Sequence, residues 1–100
     1  MRRVLVRYKV KPDRVEENEA LVRAVYDELA ATRPGEMRYG TFKLDDGVTF
    51  VHIHSNDDPS GHNPLADLAS FKAFQAGIAD RCDEPPVVSE LDEVGTFRLF

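Results

Sequence analysis

The first thirty residues change their hydrophobic period once, and that change limits the folds open to the chain. Over residues 3–10 apolar side chains alternate: Val4, Val6, Tyr8 and Val10 fall on one face, with Arg3, Leu5, Arg7 and Lys9 opposite. A period of two with β-branched residues predicts a strand. Lys11-Pro12 ends it. Beyond Pro12 the spacing turns helical, with Val15, Val22, Val25 and Leu29 on one stripe and Leu21 beside it. Glu16 and Glu17 crowd the first turn, where the helix dipole favours negative charge. Asp13 is expected to cap this helix, with Glu16 completing a capping box. Arg33-Pro34-Gly35 is expected to stop it near Ala31.

Two more strands are predicted over residues 37–44 and 48–54. Asp45-Asp46-Gly47 lies between them, and Asp-Gly suits a two-residue type I′ turn. The stretch 55–63 is rich in turn formers and long for a connection, which marks it as a candidate functional loop. Asn63-Pro64 fits the N-cap and first position of a short helical turn to Leu68. Ser70 restarts a helix carrying Phe71, Phe74, Gln75 and Ile78 to about Arg81. Pro85-Pro86 is expected to break the chain before two final extended segments, 87–91 and 94–99. The order β-α-β-β-α-β specifies an α+β, ferredoxin-like fold, an antiparallel sheet with both helices on one face. Residues 1–100 make one domain.

With helices covering one face, the other needs cover too. Leu5 opposes Val4 and Val6, and Phe42 and Leu44 oppose Met37 and Tyr39; a sheet wetted on one side would alternate more cleanly. A homodimer that packs the second faces together answers this, and a chain of 100 residues gains from the extra burial. The net charge of −5 disfavours nucleic acid as a partner. An echo of the RNA-recognition motif at residues 47–53 lacks its basic and stacking residues, with Asp46, Val48 and Ile53 in their places. The single cysteine, Cys82, fits a reducing compartment, and no apolar run is long enough for a signal peptide or a membrane span. The cytoplasm is the expected location, with no membrane partner.

An opening strand leads to a lysine-proline turn and a long acidic helix (4–29), and a strand pair follows. Then come a histidine-containing loop, a Phe-x-x-Phe helix (55–78) and a valine-rich closing segment. In this the whole chain resembles the dimeric α+β barrel proteins of the antibiotic-biosynthesis-monooxygenase type. The resemblance implies a homodimer with a small-molecule pocket between sheet and helices in each protomer. That family includes cofactor-independent oxygenases of polycyclic phenols, haem-degrading enzymes and proteins of unassigned activity. The Asn, Trp and His set of its enzymes is not repeated: the chain has no tryptophan, and its first strand offers Arg7 where the asparagine would stand.

Three histidines carry the candidate chemistry. His52 and His54 are two apart on a strand, so both project to one face, roughly 7 Å apart. Either can serve as a base near neutral pH, with no cofactor. With His62 from the loop they also form an alternative three-nitrogen metal set. The bland reading keeps one histidine buried with a partner and another at the strand end. Asn18 falls within the apolar stripe of the first helix, where it either bonds backbone or faces a ligand. Tyr8, Tyr39, Phe50, Phe71 and Phe74 are candidate walls of a pocket for a small apolar or aromatic molecule, and equally candidate core. Cys82, near a helix end, lacks the setting of a nucleophile. The expected function is binding and cofactor-independent oxidation of an aromatic or polyketide-like molecule, with a non-catalytic binding protein as the alternative.

Overall fold

The computed structural model describes residues 2–35 and 37–99. Four strands, β1 (Arg2–Val10), β2 (Met37–Lys43), β3 (Thr49–Asn56) and β4 (Cys82–Glu90), form one antiparallel sheet in the order β2-β3-β1-β4. Helix α1 (Val15–Thr32) joins β1 to β2, while α2 (Ala69–Ala76) and α3 (Ile78–Arg81) join β3 to β4. The α+β order expected from the two periodicities is the order found.

Both helical segments pack on one face. The core there gathers Tyr8 and Val10 of β1, Val22 and Val25 of α1, Phe50 of β3 and Phe74 of α2. Glu28 on α1 accepts hydrogen bonds from the Ser70 backbone N–H (3.0 Å) and hydroxyl (2.6 Å). It thereby caps α2, which has no side-chain cap of its own at Leu68, and the same bonds hold the Glu28 carboxyl below its usual range. The opposite face carries no helix among the described residues and leaves Phe42 57% and Val87 63% exposed.

Several local expectations are corrected. The capping box does not form: Asp13 lies in a 3₁₀ turn, Pro12–Arg14, and Arg14 occupies the N-cap without a side-chain cap bond. Arg14 instead reaches Glu17 through two bonds of 2.8 and 2.9 Å. The hairpin is not a two-residue type I′ turn. Its loop closes at Leu44 and Thr49, and only Gly47 has positive φ (+78°). Asp46 dictates this shape by accepting from the Val48 N–H, the Thr49 N–H and the Thr49 hydroxyl, which together pull its pKa down to about 2. Asn63 does cap the turn Pro64–Asp67, accepting from the Leu65 N–H at 3.0 Å.

The helix predicted to run to Arg81 breaks at Gly77, where an added Cβ would come within 3.2 Å of Arg81 Nη1. Pro85-Pro86 does not break the chain either. Strand β4 runs through both prolines because it is an outer strand with β1 on one side, and register shifts opposite Arg7, Lys9 and Val10 absorb them. The ladder ends with the Leu91 N–H on Arg3 O (2.9 Å), and residues 94–99 form no strand. No described helix is long and apolar enough to cross a membrane.

Candidate functional site

The site grows from alternation in β1, β2 and β3. Register sets His52 between Val6 and Thr41, and His54 between Val4 and Tyr39, all on the helix-covered face. Above them, α2 brings Phe71 and Phe74, and α3 brings Ile78. Together these enclose a cavity of about 360 Å³, near the lower end for small-molecule sites. Tyr8, Tyr39, His52, His54, Phe71 and Phe74 all reach its wall. A larger groove of about 570 Å³, along the end of α1, holds none of the histidines.

Behind that wall runs a chain of hydrogen bonds. Arg81 Nε donates to Asn18 Oδ1 (3.2 Å), and Asn18 Nδ2 donates to the Tyr8 hydroxyl (3.0 Å). Tyr8 Oη meets His52 Nε2 at 2.7 Å. On the other side of the ring, His52 Nδ1 lies 2.5 Å from Tyr39 Oη and 3.1 Å from Thr41 Oγ1. Tyr26 closes the chain at Thr41 Oγ1, 2.8 Å away. Burial pushes the His52 pKa down to about 4, so its ring is neutral near pH 7, and burial likewise raises both Tyr8 and Tyr39.

His54 differs. It is buried, yet its Nε2 has no hydrogen-bond partner among the described residues. It lines the main cavity and also a smaller polar one of about 150 Å³ beneath the 56–63 loop. Burial first, and the nearby Arg2 second, lower its pKa, so it presents a neutral imidazole. A buried polar atom left without a partner costs on the order of 1–3 kcal/mol, and here that atom belongs to a ring that lines two cavities.

Two pocket candidates are corrected. Asn18 is fully buried and spends its amide on Tyr8 and Arg81, so it does not reach the cavity. Phe50 stacks behind Tyr8 (ring centroids 5.5 Å apart, planes 7° apart) and is core. The alternative metal set does not converge. Tyr8, Tyr39 and Thr41 take both nitrogens of His52, while His62 sits in the exposed loop with Nε2 2.6 Å from Asp67 Oδ2. Among the described residues no group of three or more metal-ligating side chains is brought together. Burial raises the Cys82 thiol, which leaves it protonated.

Arg81 is the residue that sequence reasoning missed. It is 1% exposed, bonded to Asn18 and to Phe74 O (2.7 Å), with its guanidinium 5.4 Å from the Phe74 ring centre. Its signal was positional: 71, 74, 78 and 81 are helically spaced, so Arg81 continues the apolar stripe of the Phe-x-x-Phe segment.

Comparison with known proteins bears on the fold. No protein-family model and no curated protein matches the sequence. Solved structures do match. The crystal structure of an antibiotic biosynthesis monooxygenase superposes with a TM-score of 0.75 at 19% identity, over 95% of this chain and 100% of that one. The fold is that of the antibiotic biosynthesis monooxygenases. A Mycobacterium tuberculosis protein gives 0.75 at 18% identity, over 95% and 96% of the two chains. A Nitrosomonas europaea protein of unknown function gives 0.73 at 18%, over 96% and 91%. This monooxygenase-like fold thus recurs where no reaction is assigned, and the chemistry has to be argued from the site.

Proposed function

We propose that the chain binds a small apolar or aromatic molecule in the 360 Å³ cavity and oxidises it without a cofactor, with His54 as the base. The observation that carries this is His54, a wall residue of an aromatic-lined cavity whose buried Nε2 is engaged in no hydrogen bond among the described residues. His52 is less suited to proton abstraction because both its nitrogens are engaged inside the protein. It then serves to hold Tyr8 and Tyr39. Fold likeness adds support of a general kind, since the name monooxygenase belongs to the neighbours.

In the proposed reaction an acidic C–H next to a phenolic or keto system gives its proton to the neutral His54 ring. The carbanion's electron pair passes to dioxygen, and protonation yields a hydroperoxide. Loss of water then leaves a carbonyl: one oxygen atom enters the product, the other departs as water, and the substrate carbon is oxidised. Anthrone, with one acidic CH₂ between two rings, is a suitable probe. The expected result is oxygen uptake matching quinone formation, lowered at least about 100-fold in His54→Ala. Oxygen uptake that His54→Ala leaves unchanged would remove His54 as base.

A second reading, a dimeric binding or accessory protein, is favoured by one observation: among the described residues no hydrogen bond at Nε2 orients the His54 ring. A ligand that stabilises the protein and is recovered unchanged supports that reading instead. In either case we propose a homodimer formed through the bare sheet face, where Leu5, Val51 and Ile53 lie between exposed Phe42 and Val87.

A further inference from the structure

Arg81 is a buried cation with no carboxylate in ion-pair range among the described residues. Burying such a group is costly, so what its charge does instead is a physical question. We infer that Arg81 sets the direction of the hydrogen bonds that run behind the cavity from Asn18 through Tyr8 and His52 to Tyr39. This leaves the Tyr39 hydroxyl proton for the ligand, which accordingly carries an acceptor oxygen, a carbonyl or an oxyanion, opposite Tyr39. The inference rests on the cavity being the ligand site.

The direction follows bond by bond. A guanidinium has donors and no acceptor. The Asn18 atom 3.2 Å from Arg81 Nε is therefore its oxygen, and the amide nitrogen must face Tyr8. Tyr8 Oη accepts that bond, so its single proton goes to the remaining neighbour, His52 Nε2. Nε2 is thus the lone-pair nitrogen, and a neutral imidazole then carries its proton on Nδ1. That proton points at Tyr39 Oη, the nearer of its two neighbours. Tyr39 becomes an acceptor on the protein side, and its own proton needs another destination. The rival is Thr41 Oγ1, which interacts with Tyr39 but is also bonded to the Tyr26 hydroxyl at 2.8 Å. The cavity, whose wall Tyr39 helps to form, is the other. Tyr39 is a ligand-binding residue in this account; Arg81, Asn18, Tyr8 and His52 are positioning residues that act through it.

Asn18→Asp tests this with almost no change of shape. The new carboxylate accepts from Arg81 and also from the Tyr8 hydroxyl, so Tyr8 turns round, His52 carries its proton on Nε2, and Nδ1 captures the Tyr39 proton. The ion pair gained with Arg81 favours folding, which circular dichroism checks. Nitrogen-15 spectra of the His52 ring are expected to show Nδ1–H in the wild type and Nε2–H in Asn18→Asp. The ligand probes are 1-tetralone and its hydrocarbon counterpart tetralin. Tyr39→Phe and Asn18→Asp should each weaken 1-tetralone about tenfold and shift its carbonyl stretch up, while tetralin binds as before. The inference is overturned if His52 carries the same tautomer in both proteins, or if 1-tetralone ignores Tyr39→Phe. If neither probe binds the wild type, the cavity reading fails and the Tyr39–ligand contact fails with it. The nitrogen spectra still judge the chain's direction on their own.

Discussion

Tyr8 on β1 and His52 on β3, 44 positions apart in sequence, share a 2.7 Å hydrogen bond in the layer between sheet and helices. The bond joins the core to the cavity. On one side Tyr8 stacks on Phe50 and accepts from Asn18; on the other, His52 faces Tyr39 and Thr41. Stability and site chemistry therefore depend on the same few side chains.

Tyr8→Phe keeps the stacked ring but leaves Asn18 Nδ2 and His52 Nε2 without their partner. Each orphaned buried group costs about 1–3 kcal/mol, so the substitution should destabilise the domain well beyond the loss of one hydroxyl. Urea denaturation measures this. A change within about 0.5 kcal/mol would mean the chain of bonds is loosely held.

The pH dependence has a definite sign. His52 has a folded pKa of about 4 against 6.5 unfolded, so between those values the unfolded chain binds more protons. Stability should be full above pH 6.5 and fall as pH drops towards 4, by about 3 kcal/mol for this residue alone. His54 is shifted in the same direction and adds to the same window. Exposed His62, raised by its bond to Asp67, works oppositely, contributing below its unfolded pKa and losing that as pH rises, but solvent screens it. Asp46 matters only in stronger acid, as pH falls from 3.8 to about 2. Denaturation of wild type and His52→Gln at pH 4.5 and 7 checks this; the variant should lose most of the slope.

Phe74 touches Tyr8, His52, Phe71 and the Arg81 guanidinium. Phe74→Ala should cost about 3–5 kcal/mol by thermal or chemical denaturation. Phe71, only half-buried at the cavity wall, should cost less on truncation and show its effect in ligand affinity instead.

On the bare face, the Phe42 ring lies over Gly40, where an added Cβ would come within 3.1 Å of it. Phe42→Glu with Val87→Glu puts charge on the surface proposed to join two copies. Sedimentation should find a dimer for the wild type and a monomer for the double variant, with helix content kept.

What the sequence revealed and concealed follows from the range of the interactions. The alternation of Val4, Val6, Tyr8 and Val10 and the helical stripe from Val15 to Leu29 are local, and both elements could be read directly. In the hairpin loop the Asp46 side chain outcompetes the Asp-Gly backbone preference, which no local pattern announces. Pro85 and Pro86 read locally as strand breakers, and nothing local says that β4 lies at the edge, where it tolerates both. Asn18 stands out in the sequence as odd within its stripe, but its partners are Tyr8, 10 residues away, and Arg81, 63 away. No pattern along the chain links those three. His52 and His54 look equivalent in sequence; only the tertiary structure separates the saturated ring from the unpartnered one.

The central claim is that a flat apolar molecule occupies the cavity beside His54. Titrating labelled protein with anthraquinone, the stable oxidised product of anthrone, tests it by NMR without turnover. Contacts from ligand ring protons to Phe71, Phe74 and Val88, with a shift of the His54 ring signals, are the predicted result. Shifts confined to Phe42, Val51 and Val87 on the far face, or no shift at saturating ligand, would contradict it.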